Sequence, residues 1–456
     1  MFKLPMPFPS GFVWGLATSA YQIEGAVADG GRGESIWDRF SHTPGAVENR
    51  DTGDTACDHY HRWREDVELL ARLEAPAYRF SVAWPRIQPT GTGPANRQGL
   101  DFYSRLVDAL LANGIKPVVT LYHFDLPDAL EQRGGWTERD TAYRYRDYAA
   151  IVFEALRDRV DMWITHNETF AQAAMGYLSG SFPPGRRDDV EGFIGASHHF
   201  LLSHGLAVAV HRDLGLAAPV GTTLGLGPTY PEHRSQPDED AARIWDGLEN
   251  LWFLAPLLSA AYPEEAASVL AGEGASFKAV KDGDLAVIAS PIDFLGVNYY
   301  THRVVRADPD ELFGCGIVPT GLRTTEMGWE IVPEGLLDLL TRLSRLAPDL
   351  PLYITENGAA FVDRPGADGE FDDEGRINFL RDHIRVCEQA ISAGVDLRGY
   401  FVWSFLDNFE WHLGYRPRFG IVHVDHQSQQ RKPKASAQFF RSVVRANGLP
   451  AAQPPG

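Results

Sequence analysis

Eight short apolar runs, each followed by a polar turn and then an amphipathic stretch, constrain this chain more than any other feature. The runs are residues 12–17, 78–82, 117–121, 161–165, 220–226, 294–298, 352–355 and 399–403, rich in β-branched and aromatic residues. Between them, 65–73, 100–112, 139–156, 193–210, 334–346, 375–393 and 434–446 carry helical periodicity, and 240–261 is partly helical. Residues 85–94 read as a Pro/Gly-rich loop, and Asn113-Gly114 as a helix stop. Strands alternating with helices imply a parallel sheet with right-handed crossovers. Eight such units favour closure into an α/β (β/α)8 TIM barrel over an open doubly wound sheet. The alternation runs on without a break in composition between the halves of the 456-residue chain. The expectation is therefore one barrel domain over 1–456, with a core at about 8–446, extended βα loops and a loose Pro-rich tail after 448. No glycine-rich phosphate loop follows the first strand, which weakens a nucleotide-binding alternative.

Barrel chemistry gathers where strands end, at the C-terminal mouth. Following each run to its end gives Gln22, Arg79, His123, the pair Asn167-Glu168, then Asn298 with Tyr299 and Tyr300, Glu356, and Trp403 followed by Glu410-Trp411. Taken singly these are weak signals. Glu356, between a strand and the turn Asn357-Gly358, reads equally as a solvated turn residue, and a lone His123 as a core histidine. Taken together, two carboxylates face one another across a mouth lined with amides, an imidazole and indoles. That inventory suits a sugar, with ring faces to stack on and polar forks for hydroxyls.

The motifs themselves resemble glycoside hydrolase family 1, the β-glucosidase family of retaining (β/α)8 enzymes. They are Phe12-Val13-Trp14-Gly15-Leu16-Ala17 running on to Gln22-Ile23-Glu24-Gly25, then Tyr78-Arg79-Phe80-Ser81, and Thr165-His166-Asn167-Glu168. Gly296-Val297-Asn298-Tyr299-Tyr300, Ile354-Thr355-Glu356-Asn357-Gly358 and Trp403-Ser404 through Glu410-Trp411 complete the set, in order. The resemblance spans roughly residues 8 to 445. It implies a nucleophile at Glu356, held ionised by Arg79 and Tyr300, and an acid/base at Glu168 with a raised pKa. It implies that Asn167 bonds the sugar 2-hydroxyl and that Gln22, His123, Asn298 and Glu410 bind substrate. Trp403 would be the stacking floor, Trp411 an indole donor, and Trp329 a lining of the leaving-group side. The implied substrates are β-linked oligosaccharides or aryl and alkyl glucosides, with no cofactor and no metal. Two positions depart from the family pattern. Thr169 stands where the family usually has Pro, allowing a looser loop, and Phe124 where it usually has Trp, removing one hydrogen-bond donor.

Composition bears mainly on partners. Asp and Glu (61) outnumber Lys and Arg (42), a net charge of −19, which argues against nucleic acid and anionic membranes. Cys57, Cys315 and Cys387 are odd in number and far apart, so they spell neither a disulfide framework nor a zinc site. The pairs His59/His61 and His198/His199 lack an accompanying carboxylate set for a metal, and Trp14, Trp63, Trp163, Trp245 and Trp252 read as packing. Asp238-Glu239-Asp240 reads as a helix cap. Met1 to Ser10 has no apolar leader core, and no run approaches the ~18 apolar residues of a membrane span. The default is a soluble cytoplasmic protein of open oligomeric state. Two rivals remain: a non-catalytic sugar-binding barrel, and a 6-phospho-β-glycosidase, in which Glu410 would repel the phosphate.

Overall fold

The computed structural model describes residues 8–366 and 369–450. Eight parallel strands, β1 (Val13–Ala17), β2 (Ala77–Ser81), β3 (Lys116–Tyr122), β4 (Met162–Asn167), β5 (Val220–Gly225), β6 (Phe294–Asn298), β7 (Leu352–Asn357) and β8 (Leu397–Trp403), form the closed barrel. Each strand pairs with its sequence neighbour, and β1 closes the ring against β8 with Ala17 opposite Trp403. These segments are buried almost throughout, which is why they read as continuous apolar runs rather than alternating ones. Inside the barrel Ala17, Ala77, Val118, Met162, Ile164, Phe294 and Phe401 pack as one cluster capped by Trp403.

Helices such as His59–Arg72, Arg97–Ala112, Arg139–Leu156, Pro333–Leu346, Glu374–Ser392 and Ala435–Ala446 wrap the outside. The stop at Asn113-Gly114 forms as expected, with Asn113 as C-cap and Gly114 at φ +71°. Helix Val190–Asp213, 24 residues, is long and apolar enough on average to cross a membrane, although Ser and His residues interrupt it and it holds no run of ~18 apolar residues. It is instead mostly buried and packs along helix Arg139–Leu156, so its apolar faces serve the barrel's outer layer.

Several elements were not expected. Residues 85–94 open with a helical turn, Trp84–Ile87, whose Pro85 occupies a first-turn position that needs no N–H. Thr229–Pro231, Arg303–Ala307 and Cys315–Ile317 form a small outer sheet, and Val422–Asp425 pairs with Gln430–Pro433 as a hairpin after β8. Asp238 and Glu239 lie in the first turn of helix Gln236–Asp246, but Ser235 is the cap, and Asp238 is buried against Ala307 N–H. Residues 1–7 of the expected leader-free start and 451–456 of the expected loose tail lie outside the described residues.

Candidate active site

The register of the barrel brings the polar strand ends to one level. Asn298 on β6 pairs with Glu356 on β7, and Asn167 on β4 with Thr223 on β5. Above them opens a cleft of about 520 Å³, lined by His123, Asn167, Glu168, Asn298, Tyr300, Trp329, Glu356, Trp403, Glu410 and Trp411. Arg79 lies beneath the floor, fully buried. Gln22 is also fully buried and does not line the cleft. Its amide donates to Asn408 Oδ1 (3.0 Å) and Phe409 O (2.9 Å) and approaches Glu410 Oε2 at 3.4 Å, so it positions Glu410 from behind.

Glu356 is gripped from two sides. Arg79 Nη1 donates to its Oε1 at 2.5 Å and the Tyr300 hydroxyl to its Oε2 at 2.7 Å. The same guanidinium donates to Thr355 O (3.0 Å), to Asn167 Oδ1 (2.6 Å) and, through Nε, to Thr120 Oγ1 (3.1 Å). These Thr contacts were not expected; a Thr inside a strand carries no signal of its own. Burial pushes the Glu356 carboxyl up, while Arg79, Tyr300 and Asn298 hold it back.

Glu168 keeps thinner company. Its single side-chain hydrogen bond among the described residues comes from Asn298 Nδ2, at 2.6 Å from Oε1. Burial and the neighbouring charge of Glu356 push it up to about 8. The same Asn298 amide also donates to Asn167 Oδ1 (3.0 Å), and the two acids lie close enough for the charge of Glu356 to raise Glu168. Glu410 is a third carboxyl in the same space, also raised to about 8 by burial, Glu356 and Glu168.

His123 accepts at Nε2 from Asn167 Nδ2 (3.1 Å), since Asn167 Oδ1 is taken by Arg79, and its proton therefore sits on Nδ1. Burial and Arg79 keep this imidazole neutral. Its ring stacks on Trp403 at 5.7 Å and 18°. Trp411 packs on Tyr21, Trp37 and Phe124. Glu168, Phe124 and Trp411 have φ of 42°, 79° and 52°, left-handed conformations that non-glycine residues rarely hold. Each such residue costs of order 1–3 kcal/mol, and here all three lie around the cleft. Gly358 is required by contact: a Cβ there would fall on the carbonyl oxygen of Trp403.

The two departures are now placed. Thr169 is buried and opens a helical turn, Thr169–Ala173, so the loop it was expected to loosen is regular. Phe124 lines the cleft without a donor, as its chemistry requires. On the outer side Phe170, Met175, Leu226 and Trp329 give an apolar wall, with the pairs Glu249–Arg303 (2.9 Å) and Glu326–Arg416 (3.7 Å) at its edge.

The profile of Glycosyl hydrolase family 1 matches residues 4–449. The chain belongs to that family. Over 97% of its length it is 50% identical to Thermostable beta-glucosidase B of Thermobispora bispora (92% of that protein) and 44% identical to Beta-glucosidase A of Acetivibrio thermocellus (99%). A solved family 1 β-glucosidase from Thermotoga maritima superposes with a TM-score of 0.94 at 45% identity, covering 97% of this chain and 99% of that one. As a family 1 member this protein is a retaining glycoside hydrolase.

The histidine pairs that the sequence reading set aside as metal ligands make other contacts. His59 Nδ1 bonds Asp66 (2.8 Å), and His198 bridges Tyr262 and Asp284. Asp363, Asp407 and His423 come within metal-ligand spacing of one another, but Lys434 Nζ sits 2.9 Å from both carboxylates, so an ammonium already fills that position.

Proposed function

We propose that this protein is a β-glucosidase that releases terminal non-reducing β-D-glucosyl residues, with Glu356 as nucleophile and Glu168 as acid/base. The observation that carries the assignment is the unequal company of the two acids. Arg79 and Tyr300 stabilise a charge on Glu356, whereas Glu168 receives one amide and sits beside that charge. Glu356 therefore attacks the anomeric carbon while Glu168 protonates the departing oxygen. Glu168 then takes a proton from the water that hydrolyses the glycosyl-enzyme. Retention by this route needs carboxyls about 5–5.5 Å apart, and Glu356 and Glu168 are near enough for the charge of one to raise the other.

The remaining roles follow from placement. Trp403 offers its face, Glu410 accepts from sugar hydroxyls, Trp411 donates an indole N–H, and Asn167 meets the 2-hydroxyl. Gln22 and His123 hold Glu410 and Asn167 in position. The apolar wall of Phe170, Met175 and Leu226 accommodates aryl and alkyl aglycones as well as a second sugar. We assign the protein accordingly to the breakdown of cellobiose and short cello-oligosaccharides in the cytoplasm, a compartment that suits three unpaired cysteines.

A 2-deoxy-2-fluoro β-glucoside with a good leaving group tests the core of this reading. It should inactivate the enzyme with a covalent adduct on the peptide carrying Glu356. An adduct elsewhere, or none with turnover intact, overturns the assignment. Faster turnover of p-nitrophenyl β-glucoside 6-phosphate than of the plain glucoside would overturn the substrate class. Glu410, flanked by Glu168 and Glu356, argues against such an anion.

A further inference from the structure

Gly225, the last residue of β5, has a backbone that does not call for glycine: its φ lies outside the left-handed region. What distinguishes it is what a side chain would meet. A Cβ built there would stand 3.0 Å from Cδ of Glu168, 3.2 Å from Cγ and 3.3 Å from Oε1. Other strand glycines face the barrel core, such as Gly15 against Phe401 and Gly296 against Thr223 and Thr355. Gly225 instead lines the cleft, directly on the flank of Glu168.

Resting on the acid/base reading of Glu168, we infer that Gly225 is a positioning residue, whose missing side chain sets both the aim and the proton affinity of that carboxyl. The Glu168 backbone is fixed from below, with its N–H donating to Thr223 O (3.0 Å) and its left-handed φ of 42°. The side chain is fixed on one side only, by Asn298 Nδ2. Gly225 is the strand partner of Asn298, so a group added there would press on the carboxyl beside that single contact or offer it a second donor. A methyl group at 3.0 Å is closer than carbon atoms settle without moving. Gly225 is held in the β5 ladder against Asn298, so the movable partner is the carboxyl end of the Glu168 side chain. It would shift by a few tenths of an ångström, off the line to the leaving-group oxygen. Proton transfer depends steeply on such alignment. A hydroxyl on the same carbon would add a donor, and a carboxylate that accepts a second hydrogen bond gives up its proton more readily.

The test uses the full-length enzyme and two variants. Gly225→Ala should lower kcat/KM about tenfold on cellobiose, whose leaving group needs a proton. On 2,4-dinitrophenyl β-glucoside, whose leaving group needs none, the loss should stay below about threefold. Gly225→Ser should show the same split and in addition move the alkaline limb of kcat/KM to lower pH. Equal losses on both substrates with an unmoved limb would overturn the inference and leave Gly225 a packing residue. Glu168→Ala run in parallel separates the two failures. If it shows the leaving-group split and the glycine variants do not, only the positioning role is lost. If it shows no split either, the acid/base assignment itself is wrong.

Discussion

Glu356 and Glu168 share a side chain and a buried setting and differ in who touches them. Two donors, one of them cationic, meet Glu356, and one neutral amide meets Glu168. Removing the charge-stabilised partner should abolish turnover without unfolding. Glu356→Gly should lose several orders of magnitude in kcat on an aryl β-glucoside, and added azide should restore turnover as the α-glycosyl azide. A β-configured product would contradict the assignment. Glu168→Ala should retain the glycosylation step on dinitrophenyl glucoside far better than on cellobiose; comparable losses would remove it as the general acid. The pH dependence follows from the same contacts. kcat/KM should be bell-shaped, with its acid limb set by protonation at Glu356. Its alkaline limb should lie near pH 8, where the coupled set containing Glu168 and Glu410 gives up protons. A profile flat from pH 5 to about 9 would exclude a mechanism through this pair.

The strands and helices of the barrel were legible because each is long enough to show its own period or apolar run. Their C-terminal residues were legible because polar side chains ending apolar runs stand out. The small outer sheet was not, since its strands have 3–5 residues and Thr229–Pro231 pairs in parallel with Arg303–Ala307, more than 70 positions away. Helix Ile36–Ser41 does carry a local signal: Ser35 and Asp38 form a capping box, the Ser-x-x-acid signature of a helix start. Gln22 reads as a cleft residue from its motif, but nothing in one sequence says that its amide faces Phe409 and Asn408. The hairpin after β8 was equally hidden, yet it shapes the site. Lys434, just beyond that hairpin, binds Asp363 and Asp407, and Asp407 accepts from Gly420 N–H and begins the segment that carries Glu410 and Trp411. Although burial opposes it, Asp407 is held far below the usual carboxylate range by Lys434, His423, Arg418 and Arg376. Lys434→Met should therefore destabilise the protein by about 3–5 kcal/mol, the usual result of stripping one partner from a buried ion cluster. It should also raise KM for glucosides. A denaturation midpoint equal to the wild type would mean that Arg376 and Arg418 suffice without it.

Across the whole molecule, the site works against the fold at alkaline pH. Glu168 and Glu410 titrate near 4.5 as free side chains and are pushed up to about 8 here; Asp125, buried just beyond His123, goes from 3.8 to about 8 by burial. A carboxyl whose folded pKa is raised holds its proton in the native state after the unfolded chain has lost it. The stability it contributes is complete below about pH 4, declines through the window from about 4 to 8, and is gone above that. The penalty at pH 9 is shared, because each of the cleft carboxyls raises the others. Glu410→Gln keeps the shape, removes one charge and relieves its neighbours. It should raise the thermal midpoint by roughly 1–3 °C at pH 9 and by almost nothing at pH 5, while lowering kcat/KM on glucosides about tenfold through the lost carboxyl contact to the sugar hydroxyls. Asp125→Asn should give the same pH-dependent gain in stability without the leaving-group signature of a Glu168 variant, since it lies outside the cleft lining. Thermal scans of wild type and both variants at pH 5 and 9 decide the matter. A gain at pH 5 equal to that at pH 9 would show that the carboxyls are ionised in the native state at both values, and that burial at this site does not set their charge.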